Sequence, residues 1–520
     1  MRTRMGRSLS EVTPAVIQSL PLPGSFFNES LDRHFEVFSR DGKLYQSEFA
    51  TTPEGAEIFR STQPIQWIIG AGANGFGGVV RRGDYLFEAP LSHFTSTGKW
   101  APSPGYESAD IGFSRPLLAG CISCHSGRPN PADQNTGKFK AVPFSQVAIG
   151  CENCHGPGEA HVKAMTSGKA STPGPQIVNP GRLSAQLEND ICMSCHEAGD
   201  SRVPRPGKTY QDFRPGTPLD NTLSILMVPL QRGAPDNRDH VQHYFEMSMS
   251  KCFQSTGGQL RCATCHDPHL EPSSEEAPAY FNAKCMECHA SRPCTFPEPP
   301  RQKTAPADNC IGCHMPKRDA PETAHTSLTN HRILIRPGEP WPEEAFQQTT
   351  PELPDLIHLN AVPGRPDHLP ALTLLEAYRE IAEQKPAYAA AYQKKLSELE
   401  ETDPGNAVVQ QALGRRDLDQ GDPQKAVVHL ERAVELDAQS AMAFLYLSEA
   451  LSRLGRLDQA IAASRKAVSL DAYNRLMQMA LICRLIDAKQ YSQAVAAMNR
   501  YMELFPEDEF MRKMLDLAKQ

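Results

Sequence analysis

The pairs Cys121 and Cys124, Cys151 and Cys154, Cys192 and Cys195, Cys262 and Cys265, Cys285 and Cys288, and Cys310 and Cys313 share one spacing, and a histidine follows each at once: His125, His155, His196, His266, His289 and His314. Two thiols so placed can add across the two vinyl groups of one porphyrin, and the next imidazole then falls under the iron as an axial ligand. Zinc asks for two such pairs, or one pair with two histidines, but not for a histidine after every second cysteine. A disulfide-exchange pair would occur once. With 15 Cys and 17 His in 520 residues, chance yields about 0.01 such pentads. The pattern therefore predicts six covalently attached haem c groups, with the six histidines as proximal ligands.

An iron with imidazole on both faces passes electrons, whereas one with an open face can bind and transform a small molecule. Eight histidines outside the pentads precede the Pro-rich stretch: His34, His93, His161, His240, His243, His269, His325 and His331. They are enough for bis-histidine ligation at every site. His161 and His269 follow His155 and His266 too closely to pass round the same porphyrin, so each is expected on a neighbouring haem. His325 and His331 follow the last pentad at ligand-like intervals. For His34, His93, His240 and His243, ligation and polar contacts to propionates or backbone both stay open. Met193 and Met315 are too constrained to cap their own haem, and Met247 and Met249 are weaker candidates. His358, His368 and His429 are expected on the surface. Of the cysteines outside the pentads, Cys252 and Cys294 could form a disulfide or remain reduced. Cys483 is expected in a helical core.

Four regions must position these groups. Residues 1–115 read as irregular β structure, with hairpins turning at Arg40-Asp41-Gly42-Lys43 and at Arg82-Gly83-Asp84. Gly70-Ala-Gly72-Ala-Asn-Gly75 matches the dinucleotide fingerprint letter for letter, but a strand follows where a phosphate-binding helix should start, so a tight loop is expected. Residues 116–336 carry the pentads on short helices between Pro- and Gly-rich loops. Residues 337–370 read as a Pro-rich linker over a surface. From 371 to 520 a 34-residue period aligns Ala426, Ala460 and Ala494, and also Leu436, Leu470 and Leu504. This is the tetratricopeptide period. Gly421 and Gly455 share a column with Lys489. Small residues, Gly414 and Ser448 on the first helix and Ala433 and Ala467 on the second, mark close helix approach. The expected fold class is an α+β, largely irregular haem domain with N-terminal β-hairpins, followed by an all-α repeat solenoid.

With His-Gly-Pro-Gly-Glu-Ala-His161, Cys-His-Asp-Pro-His269 and Cys-His-Met-Pro-Lys317, residues 116–336 resemble the multihaem cytochromes grouped with pentahaem nitrite reductase and the tetrahaem electron carriers. Fused to repeats, the chain resembles bacterial multihaem cytochromes with a C-terminal tetratricopeptide domain. The resemblance implies that His161, His269 and His331 are distal ligands. It also implies an upstream signal peptide and a further pentad, hence a seventh haem; Met1 to Gly24 itself has no apolar export core. The Cys-x-x-Cys-Lys of the catalytic haem in nitrite reductases does not occur here.

The formal charge of -8, to which haem propionates would add, disfavours nucleic acid, and no apolar run is long enough to span a membrane. The expected function is an exported, periplasmic or extracellular electron carrier. Its partners would be redox proteins and a protein or peptide docked on the repeats. The alternatives are an oxidoreductase of nitrite or hydroxylamine type, acting on a small nitrogen or sulfur species at one open-faced haem with His240 or His243 as proton donor, and an assembly scaffold.

Overall fold

The structure, a computed structural model, describes the chain except residues 1–2, 107–110, 168–176, 234–240, 292–293, 305–306, 319–328, 348–354, 366–368 and 520. Among the described residues, nine strands form one antiparallel sheet: β1 (Leu9–Glu11), β2 (Gly24–Asn28), β3 (Arg33–Arg40), β4 (Lys43–Thr51), β5 (Glu57–Ile69), β6 (Gly75–Arg82), β7 (Tyr85–Phe94), β8 (Lys99–Pro102) and β9 (Arg115–Pro116). Both expected hairpins are present, β3 to β4 and β6 to β7, with Arg40 opposite Lys43 and Arg82 opposite Tyr85. Asp41 and Gly42 both take positive φ, 50° and 71°, as a two-residue hairpin turn requires.

The glycine-rich segment is a tight loop from β5 to β6. A Cβ on Gly70 would lie 2.8 Å from the Gly75 carbonyl oxygen, and no helix follows. The sheet is more regular than expected because a short helix, α1 (Pro14–Ser19), covers one face. Val16 and Ile17 of α1 pack on Val37, Leu44, Ile65, Val80 and Leu91. Gly77, Gly78, Val79 and Val80 are all buried, so β6 lacks the alternation that reveals a half-exposed strand.

The haem region holds short helices, α2 (Ala119–Ile122), α3 (Cys151–His155), α4 (Glu159–Thr166), α5 (Ala185–His196), α6 (His243–Ser248), α7 (Lys251–Ser255), α8 (Cys262–Cys265), α9 (Ala277–His289), α10 (Glu298–Arg301) and α11 (Cys310–His314), and the pentads lie on or begin in α2, α3, α5, α8, α9 and α11. A two-stranded ribbon, β10 (Ser126–Pro131) with β11 (Phe139–Ala148), follows the first pentad. The first and third pentads are anchored in protein cores. Ile122 packs with Leu9, Trp67 and Leu86 of the large sheet, and Met193 with Leu219, Leu223 and Ile225. From Lys251 to His331, by contrast, no described residue is buried, although three pentads lie there.

Two expectations need correction. Residues 337–370 are not a linker throughout: β14 (Ile357–His358) is the third strand of a small sheet with β12 (Ser201–Pro204) and β13 (Leu223–Met227). The apolar Leu356 and Ile357 draw the chain into that core. His358 is not on the surface either; it is 2% exposed, with Nε2 3.1 Å from Asp220 Oδ1. His429 is half-buried on Gln410 Oε1, and His368 lies outside the described residues. Cys483 is exposed rather than core.

The C-terminal region is a succession of packed helix pairs: α12 (Ala371–Gln384), α13 (Ala389–Thr402), α14 (Ala407–Asp419), α15 (Pro423–Leu436), α16 (Ala441–Arg453), α17 (Leu457–Leu470), α18 (Arg475–Asp487), α19 (Tyr491–Leu504) and the capping α20 (Glu509–Ala518). The small residues act as expected. A Cβ on Gly414 would lie 2.4 Å from Leu430 Cγ, and Ser448 hydrogen-bonds Ser464 across the next pair. Lys489 adopts the left-handed conformation that Gly421 and Gly455 supply in the other copies.

Both ends of the solenoid are docked on the rest of the chain. Leu374, Ala377, Tyr378 and Ile381 of α12 pack on Val203, Leu226 and Leu356, and Glu380 accepts from Ser201 Oγ at 2.6 Å. At the far end Arg82 donates to the Leu504 carbonyl at 2.8 Å and lies over the Tyr473 ring, while Tyr85 donates to the Leu470 carbonyl at 3.1 Å.

Candidate metal centres

Three imidazoles are held by backbone carbonyls. His155 Nδ1 lies 2.8 Å from the Val178 oxygen, His314 Nδ1 2.5 Å from that of Leu334, and His331 Nδ1 2.9 Å from that of Thr329. A carbonyl only accepts, so Nδ1 carries the proton and Nε2 keeps its lone pair. This arrangement fixes the tautomer and orients the ring of a metal-binding histidine.

The imidazoles also meet in pairs that join a pentad to a histidine outside it. The ring centres of His155 and His269 are 5.9 Å apart with planes inclined by 23°, those of His196 and His243 5.6 Å at 22°, and those of His266 and His331 6.3 Å at 29°. Two imidazoles bound on opposite sides of one metal ion, each Nε2 at about 2.0 Å, stand with ring centres about 6 Å apart. His243 and His331 are themselves 4.3 Å apart, so the second and third pairs touch. Burial, and then the imidazoles of His331, His196 and His266, hold His243 well below the ordinary histidine range. Desolvation lowers His331 too, although its side chain is only half-buried. Both are therefore neutral, the form that ligates.

Glu246 organises this cluster. Its side chain is fully buried; one oxygen pairs with Arg318 and the other accepts from the His331 N–H at 2.8 Å, while α6 carries His243 three residues earlier. Glu197, next to His196, accepts from the N–H groups of Tyr244 and Phe245, and burial pushes its carboxyl up to about 8. Neither acid carries a sequence signal, because its task depends on segments remote in the chain.

The thiols of different pentads are neighbours. Cys124 and Cys195 share a hydrogen bond, with the guanidinium of Arg202 reaching the Cys124 sulfur at 3.3 Å and the Ser194 carbonyl at 2.6 Å. Cys252 and Cys294 are both free, so the disulfide alternative is not realised.

The other candidates are placed apart from these pairs. His34 lies between Phe27 and Phe49, and His93 between Phe76 and Trp100, all in the N-terminal sheet. His161 is half-buried on α4. His289 ends α9 at an exposed position. His240 and His325 lie outside the described residues. Among the described residues no three of His, Cys, Asp and Glu converge into a cage for a bare ion. No helix among them is long and apolar enough to cross a membrane.

Residues 417–481 match the tetratricopeptide repeat family. Multiheme cytochrome MtrA of Shewanella baltica (strain OS185) is 27% identical over 186 residues, which cover 33% of this chain and 52% of that protein. The chain thus spans about half the length of this curated relative. Among solved structures, that of MamA is 21% identical over 26% of this chain and 81% of its own, with a TM-score of 0.25. The first repeat domain of Spaghetti (RPAP3), bound to an HSP90 peptide, is 18% identical over 22% of this chain and 93% of its own, with a TM-score of 0.21. The C-terminal region thus carries tetratricopeptide repeats, and about a third of the chain is distantly similar to a multihaem cytochrome, 33% of it being covered.

Proposed function

We propose that the chain is an exported multihaem cytochrome c that carries electrons along a row of mostly bis-histidine haems, with the solenoid docking a protein or peptide partner. The observation that carries the reading is the pairing of His155 with His269, His196 with His243 and His266 with His331 at the separation of trans-axial ligands. The stretch without buried side chains supports it, since a porphyrin brings the apolar surface that the chain itself does not bury there.

In this reading each haem supplies an iron that takes up and releases one electron. Each cysteine pair would hold one such group through its two thiols. The carbonyls of Val178, Leu334 and Thr329 hold the Nδ1 protons, so the rings present Nε2. Glu246 keeps His331 and His243 in register. Sites in which both imidazoles of a pair hold the iron would be suited to conduction rather than to binding substrate.

Mass spectrometry of the exported protein, together with electron paramagnetic resonance, tests the proposal. Six attached haems with low-spin ferric signals are expected. A high-spin signal that shifts with nitrite or hydroxylamine would replace the reading with that of a small-molecule oxidoreductase, and a chain without haem would end it.

A further inference from the structure

Two parts of the chain share the pattern Asn-x-x-Cys-Met-x-Cys-His, one running from Asn189 to His196 in α5 and the other from Asn282 to His289 in α9. The structure gives the two asparagines one task. Asn189 Oδ1 accepts from the backbone N–H of Cys262 at 2.9 Å, while its Nδ2 donates to the Leu260 carbonyl at 3.1 Å. Asn282 Oδ1 accepts from the backbone N–H of Cys310 at 3.1 Å, while its Nδ2 donates to the Asp308 carbonyl at 2.8 Å. Each amide thus stands three residues before the first cysteine of one pentad. Each grips the first cysteine of the next pentad and the carbonyl two residues before it.

The thiols follow the same arrangement. Cys192 shares a hydrogen bond with Cys262, and Cys285, pushed up to about 11 first by burial, has Cys310 among its neighbouring thiols. A carboxamide suits this task because it offers an acceptor and a donor side by side, as a backbone edge does. An aspartate would set a second acceptor against the carbonyl. No asparagine occupies the corresponding position before the other four pentads, where Leu118, Ala148, Gln259 and Ala307 stand.

We infer that the third and fourth pentads, and the fifth and sixth, are two copies of one two-haem unit in which Asn189 and Asn282 are equivalent positioning residues. The inference rests on the haem reading above and adds to it that the step of the electron path is a pair of haems held at one mutual angle. Neither asparagine touches the iron; each acts by fixing the helix that starts the next pentad.

Circular dichroism in the Soret region tests this, because two haems held at a fixed angle produce a paired positive and negative band that haem content alone does not. The loaded full-length chain is used, with haem stoichiometry measured on the same sample. Asn282→Leu and Asn189→Leu are each expected to weaken the paired band with six haems retained, and the double variant to lose at least about half of its amplitude, the two sites being independent. Asn282→Asp, which keeps the acceptor and loses the donor, is expected to fall between the leucine variant and the parent.

An unchanged band in both single variants would overturn the inference, and so would a loss confined to one of them. Asn189 is 1% exposed. If Asn189→Leu fails to accumulate, the two Asn282 variants decide alone, and a parental band in Asn282→Leu overturns the inference. A parent protein without haem would instead overturn the underlying reading, before any variant is compared.

Discussion

The repeat solenoid and the stretch from Lys251 to His331 both contain helices, yet they are held together in opposite ways. In the solenoid, Leu413, Leu430, Ala426, Ala450 and Ala460 are each 0% exposed, and small residues let neighbouring helices close on them. In the other stretch, helices as long as α9 bury nothing, and Met286, Leu270 and Phe296 are 45%, 61% and 59% exposed. Side-chain burial stabilises the first, at about 25 cal/mol per Å² of apolar surface. On the proposed reading, the second would draw its apolar contact from haems held by its three pentads. The lesson is that a helix in this chain reports on local geometry but not on what holds it in place.

The widest test of that contrast is to produce the chain without haem attachment. Hydrogen exchange is expected to show complete loss of protection across 251–331 while 407–504 stays protected; equal protection in both would break the comparison. Truncation sharpens it. In the haem-free chain Leu430→Ala should cost the solenoid about 3 kcal/mol in urea unfolding, whereas Leu270→Ala should stay within about 0.5 kcal/mol.

The junction between the two kinds of region can be probed at Asp220, where the buried His358 and Arg205 converge. Burial pushes the Asp220 carboxyl up, but His358 and Arg205 outweigh it and hold the group below its ordinary value of 3.8. A depressed folded-state pKa contributes stability that is present above the unfolded value and lost as pH falls through the folded one. Asp220→Asn is therefore expected to cost about 2 kcal/mol at neutral pH and to flatten the acid limb of the stability curve. The smallest effect is expected at the far docking contact. Arg82→Ala should cost about 1.5 kcal/mol and raise exchange at the C-terminal end of α19 and at the β6–β7 turn, leaving α12 unchanged.

Legibility in the sequence followed the range of the interactions. The turn at Asp41-Gly42 and the columns at Ala426 and Gly421 were readable because each rests on residues close in the chain or repeated at a fixed period. β14 was not readable, since three proline residues flank it nearby and its partner strand β13 lies far upstream. His358 was misplaced for the same reason: its burial depends on Asp220, which no local pattern connects to it. Glu246 was missed because a glutamate on a short amphipathic helix looks like any solvated acid until Arg318 and His331 are brought to it.

The sequence by itself determined the six pentads, the count of histidines available to face them and the 34-residue period, because covalent attachment and helix pairing are set by neighbours along the chain. Only the tertiary structure decided that His155 meets His269, that His243 and His331 stand together, that both ends of the solenoid are docked and that Asn189 and Asn282 grip the next pentad. Those choices join segments remote in sequence, and they are made by burial, by carbonyls that fix a tautomer and by carboxamides that match a backbone edge, none of which carries a signature in the letters alone.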